Sequence, residues 1–332
     1  MAIRVRRREF IVALCGAAAA WPLVARAQQA GMPVVGYLDI GSPTGSAQFI
    51  AAFREGLSKA GHFEGRNITI EYRWADGHSD RLQELAADLV RRQVAVIATP
   101  GSTAAALAAK AATKTIPIIF TTGADPVEAG LVTTLNRPGG NITGVSTLNV
   151  KVGPKRLELL HEVIPSAGVL ALLVNPNNPV LTEPLSRDSQ SAARALGLEL
   201  HILHASNNSE IEAAFVTLNG MHAGGLVIGS DSFFNSRSAQ LAALALQHSI
   251  PAVYQYRDFT AAGGFISYGG SLTDTFQLTG MYAGRVLNGE KPAELPVQQS
   301  TKVELIVNLK TARALGLTVP TALLVRADEV VE

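Results

Sequence analysis

This sequence of 332 residues has only one cysteine, no long apolar run and no excess of basic side chains. Its one cysteine, Cys15, lies close to the N-terminus, so the rest of the chain has neither a disulfide nor a thiol nucleophile. No apolar stretch approaches the roughly 20 residues that a membrane-spanning helix needs. The 28 basic and 27 acidic side chains nearly cancel, and no basic patch is visible that could bind the phosphates of a nucleic acid. We therefore expect stability to come from core burial, and no nucleic-acid partner.

The motifs of common α/β enzymes are also missing. Gly41 and Gly45 follow the first predicted strand, but the third glycine and the acidic residue of a dinucleotide site are absent, and no lysine follows Gly45 as in a Walker A loop. There is no GxSxG elbow of a serine hydrolase. His201 and His204 are three apart on a predicted strand and point to opposite faces, which disfavours a metal site. We expect no cofactor, no metal and no catalytic activity.

The N-terminal stretch has the pattern of an export signal. Arginines within residues 4–8 precede an apolar run from Phe10 to Ala20, which is about half the length of a membrane span. The run ends near Ala25-Arg26-Ala27, which places small residues at the −3 and −1 positions of a signal-peptidase site. We therefore predict that residues 1–27 are a signal peptide, that cleavage occurs before Gln28, and that the protein is located in the periplasm.

Two details of this leader leave alternatives open. Residues 7–11, Arg-Arg-Glu-Phe-Ile, are similar to a twin-arginine signal, so the general secretory and twin-arginine routes both remain possible. Cys15 could be a lipidation site, but it follows Leu14 where a lipobox has a small residue, and cleavage without lipid is the favoured interpretation. The leader holds five of the 28 basic and one of the 27 acidic side chains, which leaves 23 and 26, a net charge near −3.

From Pro33 onward, short apolar runs alternate with longer amphipathic stretches, the pattern of a parallel sheet covered by helices. The first predicted strands are 33–40, 67–74, 94–99, 116–122 and 141–147. Predicted helices between them include 46–61, which ends at Gly61, and 78–93. Five strands in under 120 residues indicate one open α/β sheet.

The same pattern then restarts, which predicts a second α/β lobe. Its strands are 168–176, 198–205, 224–230, 250–256 and 263–270, and its helices include 154–163, 188–196 and 239–248. A late helix at 272–289 and a strand at 302–308 indicate that the chain recrosses between the lobes. We predict that lobe 1 consists of residues 31–148 and about 270–302, that lobe 2 consists of 149–269 and about 303–332, and that a short polar joint at Ser146–Gly153 is a hinge.

Polar segments follow the predicted strands at their carboxyl ends, where open α/β sheets bind ligands. They are 39–46, 99–105, 121–130, 175–179, 206–210 and 229–234. Ser42, Asp125 and Asn175 lie in these segments and are candidate ligand contacts. Ser102 and Thr103 start a predicted helix whose free N–H groups would favour an anion such as a carboxylate. Helix capping by the same residue types is the alternative for each segment.

Three longer stretches, 53–90, 115–146 and 307–332, carry a family resemblance, and the pattern DPV…RPGGNITG within 125–144 is its most distinctive part. They resemble the exported substrate-binding proteins of ABC transporters, in the branch of tryptophan- and tyrosine-binding components. The resemblance implies the type I periplasmic-binding fold. In that fold two Rossmann-like, doubly wound lobes are joined by three hinge crossovers and close on a ligand in the cleft between them.

The resemblance also implies site residues, by position in the fold. Hydroxyls after the third and fourth strands would bind a ligand carboxylate, and these are Ser102, Thr103, Thr121 and Thr122. Asp231 in the second lobe would bind the ligand ammonium. Candidates for the cleft walls are Tyr254, Tyr256 and Tyr37. Only Trp74 remains outside the leader, which weakens a sugar-binding interpretation because sugars are commonly stacked on tryptophan.

These features together predict a non-catalytic receptor for a small amino-acid-like or aromatic solute. The protein would act as a monomer and deliver the solute to an ABC permease in the inner membrane. An exported sensor for a signalling receptor would need the same site and differs only in its partner. An α/β enzyme is the third alternative, disfavoured because no nucleophile and base are visible as a set.

Overall fold

The structure is a computed structural model that describes residues 31–43, 46–300 and 302–332. Residues 34–332 form one compact unit, which contains all the elements described below. The predicted signal peptide and its cleavage site before Gln28 lie outside the described residues. Within the described ranges, no helix is long and apolar enough to cross a membrane.

The first sheet is parallel throughout and has the strand order β11-β5-β4-β3-β1-β2. Its strands are β1 (Val34–Asp39), β2 (Thr69–Trp74), β3 (Val96–Thr99), β4 (Ile118–Thr122), β5 (Ile142–Ser146) and β11 (Gln298–Gln299). The central strands β3, β4 and β5 are buried along their whole length. Such strands read as continuous apolar or small-residue runs because helices cover both faces of the sheet.

The second sheet has the order β13-β12-β10-β9-β8-β6-β7. Its strands are β6 (Val169–Val174), β7 (Glu199–His204), β8 (Leu226–Ile228), β9 (Ala252–Tyr254), β10 (Ile266–Gly269), β12 (Glu304–Asn308) and β13 (Glu329–Val331). The β10–β12 pair is antiparallel, and the other pairs are parallel. The antiparallel pair arises because β12 enters the sheet from the first lobe rather than through a helical crossover.

The α-helices pack on the faces of the two sheets. They are α1 (Ala47–Lys59), α2 (Leu82–Arg91), α3 (Thr103–Ala112), α4 (Gly153–Val163), α5 (Pro179–Ala195), α6 (Asn208–Gly220), α7 (Ser232–Asn235), α8 (Ser238–Gln247), α9 (Arg257–Ala261), α10 (Leu272–Leu287), α11 (Leu309–Ala314) and α12 (Thr321–Arg326). Gly61, the predicted stop of the first helix, has the positive φ of +89° that favours glycine just after a helix end.

Helix α10 follows the second sheet in the chain but packs on the first. It lies against α1 so closely that a Cβ at Gly56 would be 1.9 Å from the Gln277 carbonyl oxygen, and one at Gly280 would be 2.0 Å from the Phe53 carbonyl oxygen. The chain therefore passes between the sheets three times, after β5, after β10 and after β11. The predicted fold class, two doubly wound α/β lobes with three crossovers, is confirmed, whereas the exact lobe boundaries stay a prediction.

Two local features differ from the sequence-based expectation. Helix α5 begins at Pro179, well before the predicted start at 188, and it contains Pro184. Pro179 suits the first helical turn, whereas Pro184 lies in the second turn, where it has no N–H to donate to the Val180 carbonyl. The joint after β5 is polar in composition, as predicted, but Ser146, Thr147 and Asn149 within it are buried.

Candidate ligand-binding cleft

A cavity lies between the two sheets, at the carboxyl ends of β1, β3 and β8. Its free volume is about 110 Å³, and it is partly open to solvent. The first lobe contributes Asp39, Gly41, Ser42, Ser46, Phe49 and Gly101. The second lobe contributes Ser232, Asn235 and Ser236, and α10 contributes Leu272 and Phe276. The position is the one at which open α/β sheets bind ligands.

Asp39, the last residue of β1, places a buried carboxyl group at this cavity. Its side chain is 7% exposed, accepts a hydrogen bond from the Gly41 N–H at 2.7 Å, and lies 3.4 Å from the Tyr37 hydroxyl. Burial raises the pKa of Asp39 to about 6, although the bonds from Gly41 and Tyr37 act in the opposite direction. None of the described lining residues is a cation. The site thus offers a negative charge that is only partly satisfied by the protein.

Two phenylalanine rings form an apolar wall beside this carboxyl group. Phe49 of α1 and Phe276 of α10 lie with their ring centroids 5.0 Å apart at 30°. Gly101 makes room for Phe276, because a Cβ on Gly101 would be 2.9 Å from the Phe276 Cζ atom, and its φ of +80° also favours glycine. A flat or bulky apolar group next to Asp39 would contact both rings.

Three serine hydroxyl groups around the cavity already donate hydrogen bonds to backbone carbonyls. Ser232 Oγ donates to the Gly101 carbonyl at 2.5 Å, Ser236 Oγ donates to Phe233 O at 2.9 Å, and Ser46 Oγ donates to Ser42 O at 2.8 Å. The Ser232 bond joins the two lobes across the cleft.

The structure brings three of the predicted contacts, Ser102, Asn175 and Asp231, together at a smaller neighbouring cavity, and Ser232 lines both cavities. Ser102 is the N-cap of α3, and its hydroxyl accepts from the Ala105 N–H at 3.2 Å. Its environment therefore matches the capping alternative as well as the ligand-binding one.

Asp231 has three donors of its own. Its carboxylate accepts from Asn175 Nδ2 at 2.9 Å, from Asn178 Nδ2 at 2.7 Å and from the Phe233 N–H at 2.8 Å. Burial raises the pKa of Asp231, and these three bonds oppose the shift. Asp231 caps α7, so the protein already supplies its carboxylate with hydrogen-bond donors.

The predicted threonines are buried and bonded to one another or to a neighbouring helix. Thr103 and Thr122 pair through their hydroxyls at 2.8 Å, and Thr121 pairs with Thr279 of α10 at 2.8 Å. None of the four lines either cavity. They hold α3, β4 and α10 together behind the cleft.

The remaining predicted residues lie in different places. Ser42 lines the main cavity, whereas Asp125 lies at another groove, where it forms an ion pair with Lys151 at 2.8 Å. Tyr254 is fully buried and stacks on Phe259 with centroids 4.7 Å apart. Tyr256 is buried as well, and only Tyr37 reaches the site, through its hydroxyl on Asp39.

The sequence analysis missed Asp39, the two phenylalanines and Asn235 as lining residues. Asp39 could have been identified from the sequence, because it is a carboxylate at the carboxyl end of a buried strand, inside a segment already identified as polar. Phe276 could not, because it comes from a helix that returns from the second lobe. Asn235 likewise depends on how the two lobes meet.

Comparison with known proteins identifies the family of the chain. Residues 42–331 match the family described as ABC transporter substrate binding protein. A tyrosine-binding protein of Clostridioides difficile (strain R20291) is 30% identical over 267 residues, which are 80% of this chain and 75% of that protein.

Two solved structures share the fold. An ABC domain from Streptococcus pneumonia in complex with L-Trp has a TM-score of 0.82 at 23% identity, over 91% of this chain and 100% of the other. A substrate binding protein with adhesive properties from Clostridium difficile, in its ligand-free, open form, has a TM-score of 0.63 at 27% identity, over 90% of this chain and 99% of the other. Because the family match extends over most of the chain, this protein belongs to the ABC transporter substrate binding protein family.

Proposed function

We propose that this protein is the exported solute-binding component of an ABC transporter and that it binds an aromatic amino acid in the cleft between its lobes. The observation that carries the proposal is the pairing of a buried carboxyl group with an aromatic wall, Asp39 beside Phe49 and Phe276. The C. difficile relative is named a tyrosine-binding protein, which supports the same ligand class.

The ligand ammonium belongs on Asp39 rather than on Asp231 in this proposal. A zwitterion that enters a cleft loses the water around its charged ends, and each end needs a charge-assisted partner to offset that cost. Asp231 already accepts three hydrogen bonds, whereas Asp39 accepts one good bond, from Gly41, and faces a cavity with no lining cation among the described residues. An incoming ammonium would supply the missing charge.

The side chain of the ligand would lie against Phe49 and Phe276. Aromatic rings favour offset or edge-to-face contacts at centroid distances of about 4.5 to 7 Å, and such pairs contribute roughly 0.5 to 1.5 kcal/mol beyond area burial. Leu272 extends the apolar surface on the α10 side.

The lobes would close over the ligand by a hinge motion and then deliver it, from a monomeric protein in the periplasm, to a permease in the inner membrane. Two hydrogen bonds between lobes support a closed arrangement here, Ser232 to Gly101 at 2.5 Å and Gln48 to Asp258 at 2.8 Å. The open, ligand-free relative aligns with a TM-score of only 0.63 over 90% of this chain, in keeping with another lobe arrangement. The chemistry proposed is binding, without catalysis.

A melting-temperature screen tests the function, because a ligand bound only by the folded protein must raise its apparent stability. The protein is first unfolded and refolded to remove any ligand carried through purification. L-Tyrosine, L-tryptophan, L-leucine, 3-(4-hydroxyphenyl)propionate and benzoate are then compared by thermal shift and by titration calorimetry. We expect the two aromatic amino acids to bind most tightly, and the propionate, which lacks the ammonium, to bind at least about tenfold more weakly than tyrosine. Equal binding of tyrosine and the propionate would contradict the ammonium assignment, and no response to any amino acid would contradict the ligand class.

A further inference from the structure

Gln255 is a buried polar residue outside the cavity that touches one of its lining residues. It follows β9, is completely buried, and donates from Nε2 to Asn235 Oδ1 at 2.6 Å. Its backbone has little freedom, because a Cβ on Gly269 would lie 1.8 Å from the Gln255 carbonyl oxygen. The bond from Nε2 holds the Asn235 oxygen toward Gln255, whereas the buried Oε1 atom of Gln255 has no hydrogen-bond partner among the described residues.

Asn235, the last residue of α7, lines the cavity from the second lobe. Because its Oδ1 atom accepts from Gln255, its N–H2 group is the part left for the cavity. The lining hydroxyls of Ser232 and Ser236 already donate to backbone carbonyls. Among the described side chains that the second lobe brings to the cavity, the Asn235 amide is thus the donor without a protein acceptor.

The two lobes therefore present complementary groups to one ligand, an acceptor for a cation at Asp39 and a donor for an anion at Asn235. We propose that Gln255 is a positioning residue that holds the Asn235 N–H2 group toward the ligand carboxylate and so sets the preference for an amino acid over the corresponding amine. This inference rests on the proposed function. An asparagine free to turn would present its oxygen as readily as its nitrogen and would not favour the carboxylate.

The test compares L-tyrosine with tyramine, which has the same ring and ammonium but no carboxylate. Titration calorimetry is run on the wild type, on Gln255→Met, on Asn235→Ala and on the double variant. We expect the wild type to prefer L-tyrosine by about tenfold or more, which is the scale of one hydrogen bond to a charged group. Each single variant should lose most of this preference with little change in tyramine affinity. The double variant should lose no more than Asn235→Ala alone, because Gln255 acts through Asn235.

Gln247→Met, an exposed change on α8, is the matched control and should keep the full preference. If Gln255→Met lowers both affinities equally, or leaves the preference intact, the positioning role is wrong. If the wild type does not bind L-tyrosine or L-tryptophan, the proposed function fails instead.

A second measurement covers the case in which Gln255→Met does not fold. In the wild type, the side-chain amide resonances of Asn235 should shift on addition of L-tyrosine but not of tyramine. Equal shifts with both ligands, or none, would overturn the inference.

Discussion

Replacing Asp39 with asparagine removes the buried charge of the cavity and keeps its shape. The new amide oxygen can still accept from the Gly41 N–H, and the N–H2 group can donate to the Tyr37 hydroxyl. We expect Asp39→Asn to stabilise the ligand-free protein and to weaken ligand binding. A residue with a purely structural role would not give effects of opposite sign.

The stability change follows from the pKa of Asp39, which burial raises from 3.8 to about 6. A carboxyl group whose pKa is higher in the folded than in the unfolded protein lowers stability once it ionises, and this cost grows from pH 3.8 to about 6 and is fully present above it. Two pKa units correspond to roughly 3 kcal/mol. The ligand-free variant should therefore be more stable by about 1 to 3 kcal/mol at pH 7.5, and the difference should vanish near pH 4.

Binding should change in the other direction, because the ligand ammonium would lose its charged partner. A bond to a charged group contributes about 1.5 to 3 kcal/mol, so the affinity for L-tyrosine should fall by roughly 10- to 150-fold. Differential scanning calorimetry and titration calorimetry on refolded, ligand-free protein measure both effects. A variant that melts at a lower temperature than the wild type and binds L-tyrosine equally well would refute the reasoning.

Three further predictions follow from the same structure. Lowering the pH below about 6 should weaken L-tyrosine binding to the wild type by up to about tenfold per pH unit, because Asp39 must be ionised to pair with the ligand ammonium. Calorimetric Kd values that stay constant from pH 7.5 to pH 5 would contradict this prediction. Because the Asp231 carboxylate caps α7, Asp231→Ala should destabilise the ligand-free protein by about 1 to 3 kcal/mol in urea unfolding and leave its ligand affinity within roughly twofold of wild type. Weaker binding at unchanged stability would instead support the sequence-based hypothesis that Asp231 binds the ligand ammonium. Gly280→Ala should cost about 3 kcal/mol or more, since its Cβ would lie 2.0 Å from the Phe53 carbonyl oxygen. Gly220→Ala, at the end of α6, meets no neighbouring atom and should cost much less, and equal effects would contradict the close approach of α10 and α1.

The fold could be predicted from the sequence because its signals are local. Apolar runs such as 116–122 and 168–176 are long enough to mark buried parallel strands without any knowledge of their neighbours. Helix α5 was only half predicted: it begins at Pro179 rather than at 188, and Pro184 inside it weakens the helical signal of this stretch.

The site could be predicted only in its general position. Hydroxyl and carboxylate residues at strand ends point to the carboxyl edge of a sheet, but the sequence does not distinguish Asp231, which caps a helix, from Asp39, which faces the cavity. That difference depends on whether neighbouring donors reach the carboxylate. Phe276 and Asn235 become cavity residues only through the packing of α10 on lobe 1 and through the meeting of the two lobes.

The central claim is that Asp39 holds the ammonium of an aromatic amino acid between the lobes. A crystal structure of the protein with L-tyrosine, or with whichever amino acid most raises its melting temperature, tests this claim most directly. The account predicts the amine nitrogen within about 3 Å of an Asp39 carboxylate oxygen and the ring of the ligand against Phe49 and Phe276. An amine nitrogen bonded to Asp231, or a ligand bound outside this cavity, would contradict it.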